Sequence, residues 1–138
     1  MAKRSTRRPA ARPDPATALE QLRAVVRELP GAEERLSWSV PVFCAGGRQF
    51  AIFADDHHGD GRLALWVAAA PGVQAEMVDE EPDRFFVPPY VGHRGWLGVR
   101  LDRDPDWDEV AGVCADAFRH VAPKTLAARL DADAQEDA

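Results

Sequence analysis

The chain has 138 residues, 46% of them hydrophobic, with 17 Lys and Arg against 23 Asp and Glu and a formal net charge of −6. That length and apolar content suit one domain with a core of its own, and they exclude a miniature that needs a disulfide or metal staple. No apolar run approaches the ~20 residues of a membrane span, and no apolar signal stretch follows the basic N-terminus, so the expectation is a cytoplasmic protein without a membrane partner.

Residues 1–13 (MAKRSTRRPAARP) hold Lys3, Arg4, Arg7, Arg8 and Arg12, no acid, and no apolar periodicity. They read as a disordered basic tail of charge +5, which leaves −11 on residues 13–138. A first helix follows, with Thr17 and Glu20 expected as a capping box and Leu19, Leu22, Val26 and Leu29 on its inner face. Pro30-Gly31 stops it. Trp38–Cys44 reads as a strand, Gly46-Gly47 as a hairpin turn, and Gln49–Ala54 as the returning strand. Asp55–Gly61 is a polar loop and Leu63–Ala69 the next strand. A short helix is expected over about 73–78, after Pro71-Gly72.

The run Arg84–Trp96 (RFFVPPYVGHRGW) combines apolar anchors with backbone that cannot be helical. Pro88-Pro89 removes two backbone donors, while Gly92 and Gly95 permit turns that other residues resist. Trp96–Leu101 alternates like a half-buried strand. Asp104 is expected to cap a second long helix, with Pro105 at its first position and Trp107, Val110, Ala111, Cys114, Phe118 and Val121 facing inward. A last short helix begins at Pro123. The expected organisation is a domain over residues 14–130 followed by an acidic, frayed tail over 131–138. Strands grouped between helices predict α+β: a two-layer arrangement of antiparallel sheet with helices on one face.

Few residues suggest chemistry. Asp55, Asp56, His57, His58 and Asp60 are metal-ligand types, but their spacing fits neither an EF-hand nor a His-Glu-x-x-His helix, so no metal site is assigned. Cys44 and Cys114 form no C-x-x-C pair and read as reduced, buried thiols. No nucleophile elbow or phosphate loop is present. His93 reads as a lock on irregular backbone rather than a general base, and His120 as a structural cation in the last turn of a helix. The acidic runs 79–83 and 102–109 read as caps and helix starts. Of the four tryptophans, Trp107 reads as core, whereas Trp66 and Trp96 could be core or cleft wall. No cofactor is implied and no enzyme is expected.

The segments LPGAEERLSW (29–38), GRQFAIFADDHH (47–58), LALWVAAAPGVQ (63–74) and RFFVPPYVGHRGWLGVRLD (84–102), with DWDEV and VAPKTL near the end, resemble the MmcQ/YjbR family over about residues 18–130. The most specific part is PPYVGHRGW. The resemblance implies a CyaY-like fold and the DNA-binding role commonly given to the family's double-wing arrangement. It supplies no catalytic residues. Two readings result. The first is a DNA-associated protein contacting phosphates through Arg4, Arg7, Arg8 and Arg12 of the tail, with Arg48, Arg94 and Lys124 on the body. The alternative is a module for a small ligand or partner protein at the Tyr90–Trp96 loop, using Trp38, Trp66, Arg84, Tyr90, His93 and Trp96.

Overall fold

The computed structural model describes residues 14–137. Helix α1 spans Pro15–Arg27. Its N-cap is Asp14, whose carboxylate accepts from the Thr17 backbone N–H at 3.1 Å and from the Thr17 hydroxyl at 3.2 Å. The expected cap at Thr17 is therefore corrected. Pro15 already sits at the first helical position, so Thr17 lies within the first turn and supplies an N–H that needs an acceptor.

Six strands follow as β1 (Glu33–Ser37), β2 (Val40–Ala45), β3 (Arg48–Asp55), β4 (Leu63–Val67), β5 (Phe85–Phe86) and β6 (Leu97–Arg100). They form one antiparallel sheet in the order β1-β2-β3-β4-β6-β5. The expected strand over Trp38–Cys44 is corrected, because Trp38 and Ser39 form a two-residue turn between β1 and β2, both with positive φ. Strand β1 escapes a reading by pattern. It is an edge strand made of EERLS, largely exposed, and its charges suit an edge that must not recruit another chain.

The remaining helices are α2 (Val73–Glu80), α3 (Trp107–Val121) and α4 (Lys124–Asp137). Asp106, not Asp104, caps α3, accepting from the N–H groups of Asp108 and Glu109 at 3.0 and 3.4 Å. Asp104 instead turns with φ of 52° and leads the chain to that cap. Helix α4 continues through Asp131, whose carboxylate holds the Arg119 guanidinium of α3 at 2.9 Å, so helix replaces the expected acidic tail to residue 137. Among the described residues no helix is long and apolar enough to cross a membrane.

The sheet pleat sorts the core into two faces. Phe43, Ala51, Val67 and Leu97 pair across the strands, as do Phe53, Leu65, Val99 and Phe85. These rows lie under the helices. Helix α3 crosses β3 and β4, α1 and α4 pack on α3, and α2 packs against β5. A bulge helps to seat α3. The register passes from Phe43↔Ala51 to Cys44↔Gln49, leaving Phe50 as the extra residue. The Phe50 ring meets Phe118 of α3 edge-on at 5.8 Å, a geometry worth about 0.5–1.5 kcal/mol beyond the burial itself.

The opposite face carries the row Val42, Ile52, Trp66, Gly98 and Phe86. Among the described residues no helix covers it. Loops do, from the 3-10 turn His57–Gly59 and from the stretch after Phe86.

Candidate functional site

The run Arg84–Trp96 divides between the two faces. On the loop-covered face, Trp66 is 3% exposed and lies beneath His57, their ring centroids 4.9 Å apart. Tyr90 closes over His57 and His58 at 5.6 and 6.0 Å. Three residues of this cluster hold strained backbone, with φ of 50° at Asp56, 52° at His58 and 66° at Tyr90. The Asp56 carboxylate steadies its own loop by accepting from the Gly61 N–H at 2.7 Å. His57 Nε2 and Trp66 Nε1 are buried without a hydrogen-bond partner among the described residues. Burial pushes the His57 pKa below the ordinary 6.5, and His58 adds to the shift against the pull of Asp60. His57 and His58 pack ring against ring at 4.2 Å, an arrangement of a structural lid.

At the other end of the run, a 3-10 turn at Gly92–Arg94 carries the chain to Trp96 and into β6. Gln74 of α2 fixes this turn. Its side-chain amide donates to the carbonyls of Gly92 and Trp96 at 2.8 and 2.6 Å. Sequence reasoning assigned Gln74 no role. A glutamine on a short helix gives no signal until the carbonyls it reaches are brought beside it.

The tie to Gln74 shapes a cleft of about 440 Å³ at the end of the sheet. Arg48 from the start of β3, Arg94 and Trp96 from the turn, and His120 from the last turn of α3 line it, and among the described residues no acid does. The Arg94 guanidinium lies 5.4 Å from the Trp96 ring centroid, a cation–π distance. Lys124 opens α4 at the same end. Its neighbour Pro123 packs on the β2–β3 turn so closely that a Cβ on Gly46 would stand 2.5 Å from the proline ring. Adjoining the cleft is a second cavity of about 410 Å³, walled by Val67, Val73, Met77, Leu97 and Val113. The two share Ala68, Ala69 and His120.

The ion pairs separate the arginines. Arg23, Arg27, Arg35, Arg84, Arg100 and Arg119 are held by carboxylates. Arg48, Arg62, Arg94, Arg103, Lys124 and Arg129 take part in no ion pair among the described residues. Of the three body cations suggested for phosphate contact, Arg48 and Arg94 line the cleft, whereas Lys124 does not line it and follows the proline that packs on the β2–β3 turn. Arg4, Arg7, Arg8 and Arg12 lie outside the described residues.

The six residues suggested for a ligand site do not converge. Trp38 stands 96% exposed at the β1–β2 tip. Trp66 is sealed under His57 on the loop-covered face. Arg84 is committed to Glu81 and Glu109 and lies over Phe85. Tyr90 is 64% exposed and belongs to the His57 lid. His93 is exposed on the turn. Only Trp96 of the six walls the basic cleft, beside Arg94. Away from the cleft, one buried acid anchors the frame. Asp102 receives Arg100 through two hydrogen bonds of 2.9 and 3.0 Å and accepts from the Leu63 N–H at 3.3 Å. Burial disfavours its charge, but the Arg100 and Leu63 hydrogen bonds outweigh that and hold its pKa below the usual carboxylate value.

These features define a class: a two-layer α+β domain whose six-stranded antiparallel sheet bears helices on one face and a basic cleft at one end. The chain belongs to the YjbR family, whose model matches residues 27–120. The crystal structure of the Deinococcus radiodurans protein DR2400, which carries a DUF419 domain, is similar with a TM-score of 0.64. That likeness covers 82% of this chain and 87% of that one at 20% identity, and it speaks for the fold alone. A search of curated proteins gives no match.

Proposed function

We propose that this YjbR-family chain is a non-catalytic, cytoplasmic DNA-associating protein that grips phosphates with the basic end of its sheet and with its N-terminal tail. The observation that carries this reading is that Arg48 and Arg94, outside any ion pair among the described residues, line a cleft with no acid among its described lining residues on an otherwise acidic chain, with Lys124 following at the start of α4. Phosphate contacts of this kind supply affinity without reading bases, because each neutralised phosphate releases condensed counterions. The tail cations Arg4, Arg7, Arg8 and Arg12 extend the same electrostatics beyond the cleft.

The non-catalytic part rests on the state of the nucleophiles. Burial pushes the Cys114 thiol up to about 12, and burial likewise raises Cys44, so both favour the unreactive thiol. The test is a titration against duplex DNA at several salt concentrations, with the full chain, the chain lacking residues 1–13, and Arg48→Glu/Arg94→Glu. The double variant is expected to weaken binding by about ten-fold and to flatten the log-affinity salt slope by ~0.9 for each phosphate that the variant no longer neutralises. Equal affinities and slopes for the full chain and the double variant would show that the basic end does not touch DNA.

A further inference from the structure

The basic cleft and its apolar neighbour form one compartment with two chemically distinct ends, because Ala68, Ala69 and His120 wall both. Together they fall within the several hundred Å³ usual for a small-molecule site. At one end Arg48 and Arg94 present guanidinium groups that no carboxylate among the described residues occupies, with His120 between the two volumes. At the other, Val73 and Met77 of α2, Leu97 of β6 and Val113 of α3 enclose an apolar chamber. The acid that reaches this compartment, Asp116, bonds Arg119 at 3.2 Å, an arginine that also holds Asp131, and its largely exposed carboxylate is screened by solvent. Gln74 pins the Gly92–Trp96 turn to α2, which holds the two ends in fixed relation before anything binds. Met77 is unbranched and polarizable, so the chamber can adapt its outline.

We infer that this compartment binds an anionic amphiphile, its carboxylate or phosphate head on Arg48 and Arg94 and its apolar body in the chamber lined by Met77 and Val113. Guanidinium groups suit either head, since both offer oxygens for paired N–H donors. The apolar body supplies the hydrophobic part of the affinity, which inorganic phosphate or acetate lacks. The site shares two arginines with the DNA reading but does not depend on it.

The experiment titrates the full chain with octanoate, decanoate and octyl phosphate, with acetate, inorganic phosphate and octanol as controls. Binding is read by calorimetry and by the carbon-13 shift of the Met77 methyl group. Octanoate or octyl phosphate is expected to bind at least about ten-fold tighter than acetate, phosphate and octanol, and to move the Met77 resonance. Whichever head binds more tightly identifies the source, and either supports the site. Ala69→Leu, which narrows the passage between the two volumes, should weaken amphiphile binding about ten-fold. Arg48→Gln should weaken both amphiphile and DNA binding. Circular dichroism of each variant establishes that it folds. Absence of binding at millimolar ligand, an unmoved Met77 resonance on binding, equal affinity for octanol, or unchanged affinity in Ala69→Leu would each overturn the proposal. DNA binding that survives any of these results would leave the DNA reading standing alone.

Discussion

Single residues in this protein hold conformations that their side chains resist. Trp38 and Ser39 turn the β1–β2 hairpin with φ of 52° and 67°. A two-residue hairpin turn of this kind favours Asn-Gly, since left-handed backbone costs an ordinary L-residue roughly 1–2 kcal/mol. Trp38 is almost wholly exposed and recovers nothing by burial. Trp38→Asn with Ser39→Gly should therefore raise stability by about 1 kcal/mol in denaturant unfolding. A loss of stability instead would mean that the tryptophan makes contacts that compensate its strain. His57 poses the opposite case, a half-buried titratable ring whose Nε2 is shielded without a hydrogen-bond partner among the described residues. Its folded pKa is depressed below 6.5 by burial, so the unfolded chain binds the proton more readily. The neutral ring contributes stability that is present above 6.5 and is lost as the pH falls through that value towards the folded pKa. The thermal midpoint should fall on acidification from about pH 7.5 to about pH 5, and His57→Gln should fall less over the same range. Parallel profiles for the two proteins would show that His57 exchanges its proton as freely folded as unfolded.

Elements depend on two glycines in contrasting ways. Gly98 sits in β6 between β4 and β5, and a Cβ there would lie 2.6 Å from the Phe86 ring. The ring in turn lies under the Arg62 guanidinium, 4.2 Å from its centroid. The close approach leaves no room for a methyl group, so Gly98→Ala should cost about 1–3 kcal/mol. Gly112 lies within α3 with open space around it. Gly112→Ala should gain about 0.5–1 kcal/mol, since glycine is the poorer helix former. Chemical denaturation of both variants checks the pair, and a neutral Gly98→Ala would mean that β5 shifts without resistance. Packing also governs which elements are visible as patterns. Strands β3 and β4 and helix α2 show as apolar runs and turn signals, because each packs apolar side chains against its neighbours. Strand β1 does not, because an edge strand with charged residues has no buried face to print on its sequence.

Across the whole molecule, charge is the organising quantity. The chain is acidic overall, yet Arg48, Arg94 and His120 meet at one end, where Lys124 begins α4 after the proline packed on the β2–β3 turn. They belong to β3, the turn before β6, α3 and α4, which are far apart in sequence. Arg23, Arg27, Arg35, Arg84, Arg100 and Arg119 are held by carboxylates, whereas Arg48 and Arg94 carry unpaired charge at that end. The sequence by itself determined the antiparallel α+β class, the Gly46-Gly47 hairpin, the family and the individual cations, because periodicity, turn chemistry and motif are local properties. Only the tertiary structure decided which cations gather, that Trp38, Trp66 and Trp96 occupy separate places, and that Gln74 clamps the Gly92–Trp96 turn. Those are matters of register and packing: the turn at Trp38-Ser39 exposes one ring, and the pleat sends Trp66 to the face away from the helices. The run Arg84–Trp96 is thus two devices in one motif, a Tyr90 lid on one face and the Arg94–Trp96 wall of a cleft at the sheet's end, and no local pattern distinguishes them.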